Sequence, residues 1–186
     1  MKYLKFLLLL FFYQMSLFAS DKFKSVEEIP FIYYELTPKQ IALEAINMDS
    51  IPSIDTMYAI AREYIPENAT FFIAIKMEES GVDNHNSFLA KEYNNLIGMR
   101  YPRNRETYCI GSTNTNYSIY RNWFECMLDF NLYMENIENS FKKKHKRGFK
   151  NDYEKLDYLF NFYNGFDKWY NDMVFLIRYT NKKYVK

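Results

Sequence analysis

The chain has 186 residues, 48% hydrophobic, 20% aromatic and 25% charged, a composition that buries one substantial core and excludes a wholly disordered or low-complexity protein. With 24 Lys and Arg against 23 Asp and Glu, the formal charge of +1 gives no basic excess for holding a nucleic-acid backbone. Cys109, Cys126, His85 and His145 are too few and too scattered for a zinc cluster, and no Gly-x-Gly-x-x-Gly or Gly-Lys-Ser/Thr loop offers a nucleotide cradle, so neither a metal nor a nucleotide or other cofactor is expected.

Lys2 and Lys5 make a basic start, Phe6 to Tyr13 an apolar run, and Ser16 to Ala19 a close before the charged Asp21. This is the layout of a secretory signal cleaved after Ala19. The run is shorter than the ~20 residues of a membrane-spanning helix, and Gln14 breaks it. Residues 1–19 therefore read as a signal peptide, with an uncleaved anchor as the alternative, and the protein as secreted or periplasmic. Loss of Lys2 and Lys5 leaves the exported chain close to neutral. In an oxidising compartment Cys109 and Cys126 pair if their Cα atoms lie within about 7 Å; two buried free thiols are the alternative.

Residues 20–52 read as a lead-in and a first helix. Pro30 and mixed charge mark extended chain, and Thr37-Pro38 starts a helix carrying Ile41, Ala42, Ala45 and Ile46 that ends near Asp49. Pro52-Ser53 opens a second helix through Met57, Ile60, Ala61 and Tyr64. Pro66 introduces a third, apolar nearly all round from Phe71 to Met77 and stopped by Gly81. Residues 82–122 gather Asn, Ser, Thr, Gly and Arg, with β-compatible stretches at 107–110 and 117–120, and predict a loop-rich lobe with one small hairpin. Trp123 to about Ser140 suits a packed helix, and residues 153–182 add two more, around Leu156, Leu159 and Phe160 and around Met173, Phe175, Leu176 and Ile177. Lys142 to Arg147 reads as a solvated loop. The class is α+β, mostly α, with one domain over residues 53–182.

A buried helix ending in adjacent carboxylates, Glu78 and Glu79, beside a polar lobe is what a glycosidic general acid requires. Burial raises a carboxyl's pKa, so that it keeps its proton near neutral pH and can hand it to a leaving oxygen.

The run Ala74-Ile75-Lys76-Met77-Glu78-Glu79-Ser80-Gly81 resembles the helix-end Glu-Ser motif of the lysozyme-like superfamily, in which the Glu before Ser is the acid. Ser87-Phe88-Leu89-Ala90 and Asn94-Asn95-Leu96-Ile97-Gly98-Met99-Arg100 resemble the Ser-x-Leu-Ala and Asn-Asn-Leu-Phe-Gly-Met-Lys runs of peptidoglycan N-acetylglucosaminidases, glycoside hydrolase family 73. Arg105, Tyr117, Tyr120, Trp123 and Leu128-Asp129-Phe130 are similar to that family's Tyr-x-x-Trp and following helix. Tyr163-Asn164-Gly165 resembles its late Tyr, and also the Tyr-Asn-x-Gly of lytic transglycosylases. Val82 departs from the family, standing where an aromatic is often found. The resemblance implies a lysozyme-like fold with a small β lobe and an endo-β-N-acetylglucosaminidase acting on the glycan strands of peptidoglycan, with Glu79 as the acid. A lytic transglycosylase (a muramidase-type cut) on the same fold and a non-catalytic wall-binding module are the rival readings.

Glu106 is the lobe's sole carboxylate between Gly98 and Tyr120. It is the candidate base, or else half of a surface ion pair beside Arg105. Inverting glycosidases hold acid and base roughly 6.5–9.5 Å apart, retaining enzymes nearer 5–5.5 Å, and some acetamido-sugar enzymes use the substrate's own amide. On the substrate side stand Asn95, in a doubled Asn that orders a turn, Tyr120 and Trp123, which either pack in the core or stack on sugar faces, and Tyr163, whose hydroxyl is a useful donor. Arg100, Arg103 and Arg105 either form an exposed basic loop or meet carboxylates of peptide stems.

Overall fold

The computed structural model describes residues 50–82, 86–163 and 165–185. The expected signal peptide and first helix lie outside the described residues, as does nearly all of the lead-in.

Helix α1, Ile54–Tyr64, begins where Ser53 Oγ accepts the Thr56 N–H at 3.3 Å, the N-cap that Pro52-Ser53 announces. Pro66 then starts a single 3₁₀ turn, Pro66–Asn68, that runs directly into α2, Ala69–Ser80. Helix α2 is buried from Ala69 to Met77, as a helix apolar all round must be, and it forms the axis of the core. It packs along α1 and along α6, Asp167–Tyr184. Gly81 ends α2 at φ 81°, where a side chain would be strained, and its N–H donates to Met77 O at 3.1 Å.

The lobe holds α3, Phe88–Tyr93, N-capped by Ser87, and a hairpin of β1, Gly111–Ser112, with β2, Ser118–Ile119, antiparallel in the register Gly111 opposite Ile119. The strands are short and the first lies just beyond the predicted 107–110. Thr107 and Cys109 instead face the core, and Ile110 N–H donates to Ile119 O at 2.8 Å.

Helix α4 spans Trp123–His145, longer than predicted. Asn122 Oδ1 accepts the Glu125 N–H at 2.9 Å, while Glu125 reaches back to the Arg121 N–H at 3.1 Å, a reciprocal cap. Lys142 to His145 belong to its last turn and not to a loop. Lysine forms helix well, cations suit the carbonyl end, and Phe141 is buried there against His145, Phe149 and Tyr158. The chain reverses only at Lys146, φ 60°. Helix α5, Asp152–Tyr163, and α6 complete a mostly helical unit.

Phe175 departs from its expected packing role. The buried row of α6 is Trp169, Met173, Ile177 and Thr180, and Phe175 is 66% exposed. No helix among the described residues is long and apolar enough to cross a membrane.

Candidate active site

Three local devices bring the end of α2 to the lobe. Lys76, fully buried, donates Nζ to Gly81 O at 2.8 Å and to Asn86 Oδ1 at 2.9 Å, fixing the turn that leaves the helix. Ser80 Oγ donates to Leu96 O at 2.5 Å and shares a 2.9 Å hydrogen bond with Ser87 Oγ. Asn95 then closes the loop on itself. Its Oδ1 accepts from Met99 N at 2.8 Å, and its Nδ2 donates to Met99 O and Ser118 O, each at 2.9 Å.

That closure sets Gly98, at φ 67°, beneath the carboxyl of Glu79: a Cβ at Gly98 would meet Glu79 Oε2 at 3.5 Å. Gly98→Ala is expected to cost about 1–2 kcal/mol of stability through the left-handed backbone, while the new methyl makes only an ordinary contact with the carboxyl at 3.5 Å, so activity of the folded fraction should change little. Denaturant melts beside turnover check it.

Glu79 lines a groove of about 770 Å³ that Phe88 and Phe166 also line, and is the only carboxylate among the described residues that line it. Its Oε1 accepts the Trp169 indole N–H at 2.9 Å. Burial holds its carboxyl above the ordinary Glu range, the Trp169 hydrogen bond opposes that rise, and neighbouring Glu78 adds to it. Glu78 does not line this groove. It faces a smaller cavity of about 420 Å³ that Glu79, Phe166, Lys168 and Trp169 also line, and its carboxyl is raised by burial and by Asp172, with Lys168 acting against both. The helical pattern does not choose between the two residues; of the pair, Glu79 alone lines the larger groove, and both line the smaller cavity.

The far wall of the groove rests on a buried ion pair. Asp129 of α4 is fully buried and accepts four donors: Arg105 Nη1 and Nη2, each at 2.8 Å, the Tyr120 hydroxyl at 2.7 Å and the Tyr108 N–H at 3.1 Å. A buried carboxylate is tolerated when its lone pairs are filled in this way. Arg105, 14% exposed at its side chain, lines the groove with its guanidinium 5.8 Å from the centre of the Tyr133 ring. Arg100 stacks on Tyr117 with its guanidinium 3.8 Å from the ring centre and donates to Thr115 O at 2.6 Å.

The expected site residues divide accordingly. Glu79 is on the groove. Asn95, Tyr120 and Trp123 are buried and do not line it. Asn95 spends its amide on the Met99 turn, Tyr120 its hydroxyl on Asp129, and Trp123 packs edge-on to Phe124 at 5.9 Å, so none has a face to offer a sugar. Their assignment to substrate is corrected to a supporting role. Glu106 is exposed and likewise does not line the groove, so a direct role as base is not supported by its position. Tyr163 closes α5, but its side chain lies outside the described residues.

The exposed aromatics at the groove are instead Phe88 and Phe166, 67% and 73% exposed. Both stand at helix starts, Phe88 directly after the Ser87 cap and Phe166 as the residue that caps α6. An aromatic at such a position, directly after a Ser or Gly, is the signal that could have found them. Cys109 and Cys126 are both buried free thiols, each pushed up in pKa chiefly by burial, which is the environment of an inert cysteine.

No family model matches the chain, and no curated protein and no solved structure matches it.

Proposed function

We propose that this is an exported glycoside hydrolase of lysozyme-like fold that cuts the glycan strands of peptidoglycan as an endo-β-N-acetylglucosaminidase, with Glu79 as general acid. The observation that carries the reading is one carboxyl, partly withdrawn from water at the end of a buried helix, opening onto a groove lined by two exposed aromatics. Proton delivery to a glycosidic oxygen needs a carboxyl that is neutral near the working pH. Sugar rings offer apolar faces that suit Phe88 and Phe166. The sequence resemblance at Glu79-Ser80 and over Asn94 to Arg100 supplies the substrate class, and the interactions of Ser80 and Asn95 give both motifs a physical purpose: they hold the carboxyl over Gly98.

Because Glu79 is the only carboxylate among the described residues that line the groove, we assign the second step to the substrate's own acetamido group or to water without a partner carboxylate. Glu106→Gln is accordingly expected to turn over purified sacculi at close to the wild-type rate, whereas loss of a general base costs about 10²–10⁴-fold.

A single carboxylate among the described residues at the groove equally favours one second reading, a lytic transglycosylase in which a ring closes and no water is added. Borohydride reduction followed by mass analysis of released fragments separates them. The glucosaminidase leaves reducible N-acetylglucosamine ends, whereas the transglycosylase leaves muramyl ends lighter by one water that resist reduction.

A further inference from the structure

We propose that Trp169 is the positioning residue of the acid: its indole N–H holds Glu79 Oε1, so that the carboxyl proton is carried by Oε2, the oxygen that stands over Gly98 on the groove. The inference rests on the reading of Glu79 as a general acid and adds the group that aims it. An indole N–H only donates, so the oxygen 2.9 Å from Trp169 Nε1 must accept. In a neutral carboxyl the oxygen best suited to accept is the carbonyl one, which assigns the hydroxyl to Oε2. That atom lies 3.5 Å from where a Gly98 Cβ would be, and Gly98 lines the groove.

Trp169 is well placed for this work. It stands in the first turn of α6, is 4% exposed and belongs to the core, so its ring cannot swing away. The terminal torsion of a glutamate is broad and nearly two-fold. Without the indole, the proton would divide between two oxygens, one of them facing away from the scissile bond.

The hydrogen bond has a second consequence of opposite sign. A donor near a carboxylate stabilises the charged form, so Trp169 restrains the rise that burial imposes on Glu79. Its removal leaves the acid poorly aimed yet protonated to higher pH. A side chain that merely filled space would not couple these two effects.

Other charges around Glu79 stay in place when Trp169 is changed. Glu78 adjoins it on α2, and on α6 Lys168 pairs with Asp172, both of which act on Glu78. On the groove wall stand Arg100 and Arg105 with the phenols of Tyr101, Tyr117 and Tyr133.

The chain has two tryptophans, so a ¹H–¹⁵N spectrum of the full protein holds two indole N–H signals. Trp123 Nε1 is buried with no hydrogen-bond partner among the described residues, which makes it the internal control, and Trp169→Phe assigns the pair. The Trp169 signal is expected to shift with a single midpoint as pH rises, to lose that shift in Glu79→Gln and to keep it in Glu78→Gln. On purified sacculi, Trp169→Phe is expected to lose about tenfold or more of the plateau rate through misaligned proton delivery, with the alkaline limb of its pH profile moved upward. An indole signal indifferent to Glu79 ionisation, or a folded Trp169→Phe enzyme whose alkaline limb does not move, overturns the proposal. If Trp169→Phe fails to fold, the wild-type titration decides. If the wild type releases nothing from sacculi, the hydrolase reading falls while the indole titration still tests the pairing.

Discussion

Replacing Glu79 by Gln is expected to lower turnover on purified sacculi by about 10²–10⁴-fold, the usual cost of losing a general acid, while the protein stays folded. Gln keeps the shape and an oxygen for the Trp169 indole but has no proton to give. The same substitution carries a signed expectation for stability. The folded-state pKa of Glu79 is raised chiefly by burial, so the folded protein binds this proton more tightly than the unfolded chain does. Stability from the neutral carboxyl is therefore greatest below the ordinary Glu range and is lost as pH rises through the raised value. Gln cannot ionise. Its melting temperature should match the wild type in acid and equal or exceed it at neutral pH and above. Glu78→Gln should lose far less activity, since Glu78 does not line the groove. Thermal melts at two pH values beside turnover check all of this. An active Glu79→Gln enzyme beside an inactive, folded Glu78→Gln enzyme would move the acid by one residue.

The second large effect is on folding. Asp129→Ala removes the acceptor of the Arg105 guanidinium, the Tyr120 hydroxyl and the Tyr108 N–H at once. Breaking a buried pair from one side strands the other charge in a poor solvent and costs about 3–5 kcal/mol, which for a chain of this size lowers the melting temperature on the order of 10 °C. Arg105 would also leave the groove wall, so activity falls with stability. Replacing both partners, Arg105→Met with Asp129→Leu, leaves no stranded charge and should recover part of the stability but not the activity. A single Asp129→Ala variant as stable as the wild type would show that the network is not what holds the wall.

The helices were legible because their boundaries are local. Ser53, Pro66 and Gly81 start or stop a helix by their own hydrogen bonding and φ preference, whatever lies elsewhere in the chain. The position of Glu79 at the end of a buried helix was legible for the same reason. What the sequence hid depends on long-range contacts. Tyr120 and Trp123 look alike as stacking or core residues until Asp129 claims one and Phe124 the other. Asp129 itself reads as an ordinary helical acid, because its partner lies 24 residues away on the lobe. Trp169 is 90 residues from Glu79 and has no periodic or motif signal that ties it there. The run Lys142 to Arg147 misled for an energetic reason: charge density suggests solvated loop, yet a buried Phe141 and the carbonyl end of a helix suffice to order four of those residues.

The most direct test of the account is a digest of purified sacculi by the wild-type protein and by Glu79→Gln side by side, with the soluble fragments weighed. Glycan fragments with reducible N-acetylglucosamine ends are expected from the wild type and almost none from the variant in the same time. Sacculi left intact by folded wild-type protein, or fragments released equally fast by both, would contradict it.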